Sequence, residues 1–449
     1  METIVALSTP DARAAIAVVR LSGDDAIAVA DRVFRARNGR PLSSHAGYTA
    51  ALGDVIVGGE ALDEAVALVM RAPKSYTGED VVELSCHGNP EVARALVTAC
   101  ISAGARSAGH GEFTRRAFEN GKFDLTQAEA VAELIEAEGD AARRAALRRR
   151  NGALGQRVDE ICEALSLTAA SLAVWSDYPE ETDAPALTNE TMREAVSTQI
   201  IALEALAAGH RAGRLVQNGI SCAIIGRPNV GKSTLLNRLT GQERAIVTEV
   251  AGTTRDVLEA PAEVGGVRLR LLDTAGIRES GDLIEQIGVK RAKKALLEAD
   301  LVLLVLDGSR PLTDEDRALL AAAADRPTVV VVNKADLPQA ALALPELPTV
   351  AVCAKTGEGF DRLEEEITAA LGLTATQDAD LIAGERQYDC VLRALEALKE
   401  AEEALSAGVT LDAAGILLDE ALEALGELTG RTASALTLEQ VFAHFCVGK

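Results

Sequence analysis

The chain is poor in aromatic residues: seven Phe, four Tyr and one Trp make up 3% of its 449 residues. Its cores must therefore be assembled from aliphatic side chains, and a hydrophobic content of 48% is enough for a globular protein. Seven cysteines (Cys86, Cys100, Cys162, Cys222, Cys353, Cys390, Cys446) are an odd number, widely scattered, with no C-x-x-C pair. That spacing supports neither a disulfide framework nor a zinc site and suits a reducing compartment. Long hydrophobic runs are also missing. The longest, "LVLLVL" at 301–306, is of strand length, and "METIVALSTP" shows no basic stretch followed by an apolar one. Neither export nor a membrane span is expected, and the expected location is cytoplasmic.

Positive charge is short as well, with 45 Lys and Arg against 68 Asp and Glu and a formal net charge of -23. Attraction to phosphate is the main sequence-independent term in nucleic-acid binding, so the charge argues against a surface that grips nucleic acid all over. Contact with RNA must be local or shared with a partner. "RRAALRRR" at 143–150 is one local candidate, although arginines on adjacent turns are as common on a solvated helix face. The chain ends on "VFAHFCVGK", where Cys446 occupies the place of a prenylated cysteine. Gly448 and Lys449 fill the last two positions of that box, which argues against a lipid anchor. Two phenylalanines in so aromatic-poor a chain predict that this tail docks instead of fraying.

The length suits about three domains of roughly 150 residues. Residues 1–117 mix short β-branched runs such as "AIAVVR" and "VVELS" with Gly-rich turns and helical stretches, which predicts an α+β domain. Residues 118–215 are rich in Ala, Leu, Glu and Arg at helical spacing, and the same composition returns at 375–449. Between them, at 216–374, apolar strands alternate with helical patterns, which predicts a doubly wound, mostly parallel sheet. One helical domain split by an inserted α/β domain accounts for this order, because domains with close termini tolerate insertion.

"GRPNVGKS", Gly226 to Ser233, fits G-x-x-x-x-G-K-[ST] after the strand "CAIIG" and before the helical "STLLNRLTG". Its glycines free the backbone to curl N–H groups around phosphates at a helix N-terminus. Lys232 supplies positive charge there, Ser233 can ligate Mg2+, and Asn229, Val230, Gly231 and Thr234 complete the loop. "RLRLLDTAG" then places Asp273, Thr274, Ala275 and Gly276 at the end of a second strand, where an aspartate can hold the Mg2+ shell and a glycine amide can sense the γ-phosphate. "TVVVVNKAD" ends a third strand with Asn333, Lys334 and Asp336. A carboxylate at 336 accepts from both N1–H and the 2-amino group of guanine, which adenine cannot offer, so the pattern selects GTP. Cys353, Ala354 and Lys355 in "VCAKTG" form a loop against the base, and "AGTTRD" offers Thr254 as a switch threonine on Mg2+. These elements in this order predict a GTPase. In Ras-like enzymes a glutamine after D-x-x-G orients the attacking water, but that position is Ile277 here. Glu279, Asp282 and Glu285 are the carboxylates in the following segment that could act instead.

The motifs "ENGKFDLTQAEAVAELIEA", "GRPNVGKSTLLN", "AIVTEVAGTTRDV", "DTAGIR" and the terminal "FCVGK" together resemble the MnmE (TrmE) family of tRNA-modification GTPases, across nearly the whole length. The first and last are specific to that family, whereas the nucleotide motifs are shared with many GTPases. The resemblance implies an N-terminal folate-binding and dimerising domain, a split helical domain, and an inserted G domain stimulated by K+. It also implies an FAD-dependent partner, MnmG, in a heterotetramer. The reaction implied places an aminomethyl or carboxymethylaminomethyl group on C5 of the wobble uridine, position 34, of certain tRNAs, with a tetrahydrofolate as carbon donor.

Carried onto this sequence, the family's K+ ligands fall on Asn229, Thr248, Val250 and Thr253, within a nucleotide-contacting stretch that also holds Glu249, Ala251 and Gly252. Its water-orienting glutamate falls on Glu285. Its folate contacts, seen with 5-formyltetrahydrofolate as bound analogue, fall on Arg20, Glu83, Lys122 and Lys449. Cys446 matches the family cysteine, either a small buried residue or a thiol near the one-carbon chemistry. The chain departs from the family's pattern at Cys86 and Asn89 in "SCHGNP", at Ala435 and Leu436, and in "SDYPEET". A ribosome-assembly GTPase switch is the competing reading. It would need a basic RNA-binding appendage such as a KH domain. "GALG" at 152–155 fits that domain's loop formally, but it lies in an Ala/Leu-rich helical tract.

Overall fold

The computed structural model of the chain describes residues 2–177, 189–241, 262–272, 299–373, 382–407 and 411–449. Backbone contacts divide it into two compact units. One comprises Met1–Ala132, Gly155–Cys162 and Leu422–Lys449, and the other Glu133–Leu154 and Glu163–Ala421.

The first unit is built on a seven-stranded sheet of β1 (Ile4–Leu7), β2 (Ile16–Ser22), β3 (Phe34–Ala36), β4 (Thr49–Val57), β5 (Glu60–Met70), β6 (Val81–His87) and β7 (Arg106–Ser107). Their order is β3-β4-β5-β6-β2-β1-β7, antiparallel except for the β1–β7 pair. β4 and β5 are joined by Gly58-Gly59, both at positive φ, as a two-residue turn that matches the strand twist requires. Side chains alternate across a strand, so Ala17, Val19 and Leu21 of β2, and Cys86, Leu84 and Val82 opposite them on β6, all enter the core under helices Ala26–Val33 and Pro90–Ser102. By the same alternation Arg20 and Glu83, direct cross-strand partners, share the other face. Two of the family departures have local uses here. Cys86 fills the core at 3% exposure, and Asn89 caps the helix that starts at Pro90 by accepting from Glu91 N.

The C-terminal tail docks in this unit. Ser434 caps helix Ala435–Ala443 by accepting from Thr437 N. Beyond it Phe442 and Phe445 are buried with Leu125, Ala128 and Val131. The Phe442 ring lies 5.4 Å from that of Phe445 and 6.4 Å from that of Phe118.

The second unit holds a six-stranded sheet of β8 (Ile220–Ile225), β9 (Ala262–Val264), β10 (Val267–Leu271), β11 (Leu301–Asp307), β12 (Thr328–Asn333) and β13 (Thr349–Ala351). The order is β13-β12-β11-β8-β10-β9, parallel throughout except β9–β10. Every residue of β11 is buried, as expected of a parallel strand covered on both faces. Val305 and Val331 enter one aliphatic core, while Leu304, Leu306 and Val330 enter another. The doubly wound GTPase-like fold is thus inserted, in sequence, between helical stretches whose members Asn189–Ala208 and Glu385–Ser406 pack against each other. No helix among the described residues is long and apolar enough to cross a membrane.

The arginine cluster at 143–150 forms part of helix Asp140–Arg150 and is engaged within the protein. Arg143 and Arg144 pair with Asp140, and Arg149 is turned inward onto Glu133 at 2.6 Å. "GALG" opens the long helix Ala153–Asp177, so it forms no clamp loop.

Candidate functional site

The strand β8 runs into a loop whose backbone only particular residues can follow. Asn229 has φ 64° and Gly231 φ 102°. A Cβ at Gly226 would lie 2.3 Å from Val305 O, and one at Gly231 would lie 2.1 Å from Asn333 Nδ2. Helix Lys232–Leu239 starts directly after, with no side chain capping its first N–H groups. Ser233 and Thr234 are exposed in that first turn. Lys232 Nζ donates to Gly226 O and Arg227 O, both at 2.7 Å, and burial lowers its pKa. A half-buried ammonium that, among the described residues, is hydrogen-bonded to loop carbonyls alone, beside a helix start that its N-cap Gly231 leaves without a side-chain cap, fits an anion such as a polyphosphate.

At the end of β12, Asn333 ties the site together. Its Nδ2 donates to Val230 O at 2.8 Å, and its Oδ1 accepts from Ala354 N at 3.0 Å. One buried amide therefore joins the phosphate loop to the loop of Cys353, Ala354 and Lys355. Lys334 donates to Asp307 Oδ2 at 2.6 Å. Asp336 is exposed, as a base-reading carboxylate must be, and accepts from Cys353 Sγ at 3.3 Å. Arg227 is drawn away from the loop to Asp316 Oδ1 at 2.8 Å, a carboxylate that also closes the capping box of helix Asp314–Ala323 with Thr313. The structure thus brings together Asn229 to Ser233, Asn333, Lys334, Asp336 and the 353–355 loop. Thr248, Glu249, Val250, Ala251, Gly252, Thr253, Thr254, Asp273, Thr274, Ala275, Gly276 and Glu285 lie outside the described residues.

The N-terminal cluster is assembled around Arg20. Its Nε donates to Glu83 Oε1 at 2.8 Å and its Nη1 to Gly448 O at 3.3 Å. The guanidinium lies 5.4 Å from the Tyr76 ring centre and 5.6 Å from that of Phe113. The tail is pinned beside it: Gly111 N donates to Cys446 O, Phe113 N donates to Lys449 O at 3.2 Å, and His110 Nδ1 is hydrogen-bonded to Phe445 O at 2.9 Å. Burial and the neighbouring Arg20 together lower the pKa of Lys449. Lys122 is set apart from these three; its Nζ donates to Pro73 O at 3.1 Å. It is connected to the cluster through its neighbour Phe123, whose ring meets Tyr76 at 5.8 Å. Cys446 is exposed, which corrects the reading of it as a small buried residue: the two phenylalanines fill the core and the thiol faces outward.

Sequence reasoning missed Tyr76 and Phe113, for which the scarcity of aromatics was the available signal. It also missed Asp307 and Asp316, which carry none, because their partners are far away in sequence.

Two family models match the chain: the GTP-binding protein TrmE N-terminus over residues 3–122 and the MnmE helical domain over residues 125–446. The tRNA modification GTPase MnmE of Streptococcus thermophilus is 43% identical over 454 residues, covering 100% of this chain and 98% of that protein. The protein of the same name from Symbiobacterium thermophilum is 44% identical over 456 residues, covering 100% and 99%. Among solved structures, Era in complex with MgGDPNP and a 16S ribosomal RNA segment is 28% identical, covering 41% of this chain and 66% of that one, with a TM-score of 0.26. Matched by these models and by relatives along its whole length, the chain belongs to the tRNA modification GTPase MnmE family.

Proposed function

We propose that the protein is a GTP hydrolase acting in tRNA modification. The observation that carries this reading is the Asn333 tie, which holds a phosphate loop and an exposed, base-reading Asp336 in one frame. Lys232 and the first-turn N–H groups bind the phosphates, and Asp336 selects guanine through two donors that adenine lacks. Ser233 and Thr254 are the proposed Mg2+ ligands. Asn229, with Thr248, Val250 and Thr253, is the proposed K+ site; a cation there offsets charge that develops on the phosphates, as an arginine finger does in other GTPases. Glu285 is the proposed water-orienting carboxylate, in the place where Ile277 cannot serve.

The finer reading extends to the partners. A homodimer joins an FAD-dependent MnmG-type protein in a heterotetramer that forms the aminomethyl or carboxymethylaminomethyl group on the wobble uridine. A tetrahydrofolate derivative is taken up by Arg20, Glu83, Lys122 and Lys449, with Cys446 as a candidate thiol beside it. The ion pair of Arg20 and Glu83, the half-buried Lys449 ammonium and the Tyr76 and Phe113 rings offer both charge and stacking surface to a flat ligand with a carboxylate tail. Boundaries at 1–117, 118–215, 216–374 and 375–449 divide these tasks among a folate domain, the two parts of the helical domain and the G domain.

Mass analysis of tRNA nucleosides from cells lacking the protein tests this. Loss of the C5 substituent at the wobble uridine is expected, and an unchanged nucleoside profile would overturn the reading.

A further inference from the structure

Strand β11 ends on Asp307, whose side chain is only 6% exposed. Its two oxygens are divided between two duties. Oδ1 accepts from Ser309 Oγ at 2.6 Å and Ser309 N at 3.0 Å, which fixes the carboxylate, and Oδ2 accepts from Lys334 Nζ at 2.6 Å. Burial by itself would raise the pKa of this acid, but the bonds from Lys334 and Ser309 outweigh it and hold the value at about 2. Asp307 is thus a carboxylate throughout the working range of the protein.

Lys334 is constrained at its other end too. It is a non-glycine residue at φ 66°, a conformation that persists only where the surroundings impose it and that gathers at ligand clamps. Its carbonyl accepts from Gln339 Nε2 at 2.9 Å and from Leu337 N at 3.0 Å. The loop after β11 presses against it: Gly308 N donates to Asn333 O at 2.9 Å, and a Cβ on Gly308 would lie 2.2 Å from Gln339 Oε1. With both ends held, the four methylenes of Lys334 follow a fixed path to Asp307 from a backbone position that lies in sequence between Asn333, the tie to the phosphate loop, and Asp336, the base reader. A free lysine would have many rotamers to lose when nucleotide binds.

We propose that Asp307 is a positioning residue for guanine nucleotide: it anchors the Lys334 ammonium so that the lysine stem stands as a preformed wall of the base pocket. This rests on the nucleotide-site reading above. Preorganisation of this kind acts on binding and leaves the chemical step alone.

Asp307→Asn keeps the shape and removes the charge. The expected result is a rise of about tenfold in KM for GTP and in Kd for a fluorescent GDP analogue, with kcat at saturating GTP unchanged. The preference for GTP over ITP should stay as it was, because Asp336 still reads the 2-amino group that ITP lacks. Asp307→Glu should recover part of the loss. In a Lys334→Ala background Asp307→Asn should add nothing further, since its effect passes through that lysine. Should Asp307→Asn not fold, Ser309→Ala leaves the carboxylate in place and should give a smaller KM rise of the same kind. An unchanged KM in the variant that folds, or a rise that persists undiminished without Lys334, overturns the proposal. A wild-type protein that neither binds nor hydrolyses GTP would instead sink the nucleotide site itself.

Discussion

Replacing Gly448 by alanine adds one methyl group and should separate the two activities of the protein. Gly448 sits at φ 97°, and a Cβ there would lie 2.4 Å from Leu7 O. Leu7 cannot give way cheaply, because it is the paired end of β1, opposite Val19. The backbone conformation alone costs a non-glycine residue about 1–2 kcal/mol, and the clash adds to it. The tail end must lift, and Gly448 O then loses its bonds from Arg20 Nη1 at 3.3 Å and Ser8 Oγ at 3.2 Å. The bonds given up, about 1 kcal/mol for the neutral donor and somewhat more for the charged one, oppose lifting, so only the excess of strain and clash over them disfavours the docked tail, on the order of 1 kcal/mol or about tenfold. If the docked tail completes the folate pocket, affinity for 5-formyltetrahydrofolate measured by calorimetry should fall by about that factor. Modification should be lost with it. GTP hydrolysis should be untouched, because the described nucleotide residues, Gly226 to Lys355, all belong to the other unit. Normal folate binding by Gly448→Ala would refute the reasoning, and a parallel loss of GTP turnover would show that the damage is general.

GTP hydrolysis should be much faster in K+ than in Na+, and Asn229→Ala should erase the preference; equal wild-type rates in the two salts would remove the cation site. Glu285→Ala should leave GTP affinity nearly unchanged and slow turnover by roughly 100-fold, in the range of a positioned catalytic group; normal turnover would move the role to Glu279 or Asp282. Burial would raise the pKa of Glu112, but Arg106, Gly109 N–H and Arg116 overcome this and hold it at about 2, below the ordinary value of 4.5. Its stabilising contribution is therefore complete above about pH 4.5 and lost as pH falls toward 2. It amounts to at most roughly 3 kcal/mol, and less in practice because Arg106 is 45% exposed. Urea midpoints at pH 3 and pH 6 should differ less in Glu112→Gln than in the wild type.

The loop of the candidate nucleotide site was legible because its geometry is written in consecutive residues. A loop that must curl around phosphate needs glycine at 231 and a lysine next to it, and no distant residue has to be known for that to be read. Its supports were not legible. Val230 and Asn333 are 103 residues apart, Arg227 and Asp316 are 89 apart, and Asp307 and Lys334 are 27 apart. Each pair is a contact between different strands, loops or helices of a doubly wound fold, and nothing local to either residue announces the other. The arginine run is ambiguous in the sequence for the opposite reason. Its helical spacing was read correctly, but one buried glutamate, Glu133, turns Arg149 from a surface charge into an internal one. The spacing cannot show that.

The tail was legible through scarcity, because two phenylalanines at the end of so aromatic-poor a chain predict a docked segment. Of twelve aromatic residues, counting seven Phe, four Tyr and one Trp, six surround the C-terminus or the Arg20 cluster: Tyr76, Phe113, Phe118, Phe123, Phe442 and Phe445. The cores of the nucleotide unit are almost wholly aliphatic. Burying Phe442 and Phe445 contributes about 1.5–3 kcal/mol each, which together exceeds or matches the cost set against the tail by a methyl group on Gly448. The plug should hold while the last residues lift. Lys449 and Cys446 are therefore carried by a segment rooted at Phe445, and on the folate reading proposed above that root holds the two residues beside Arg20.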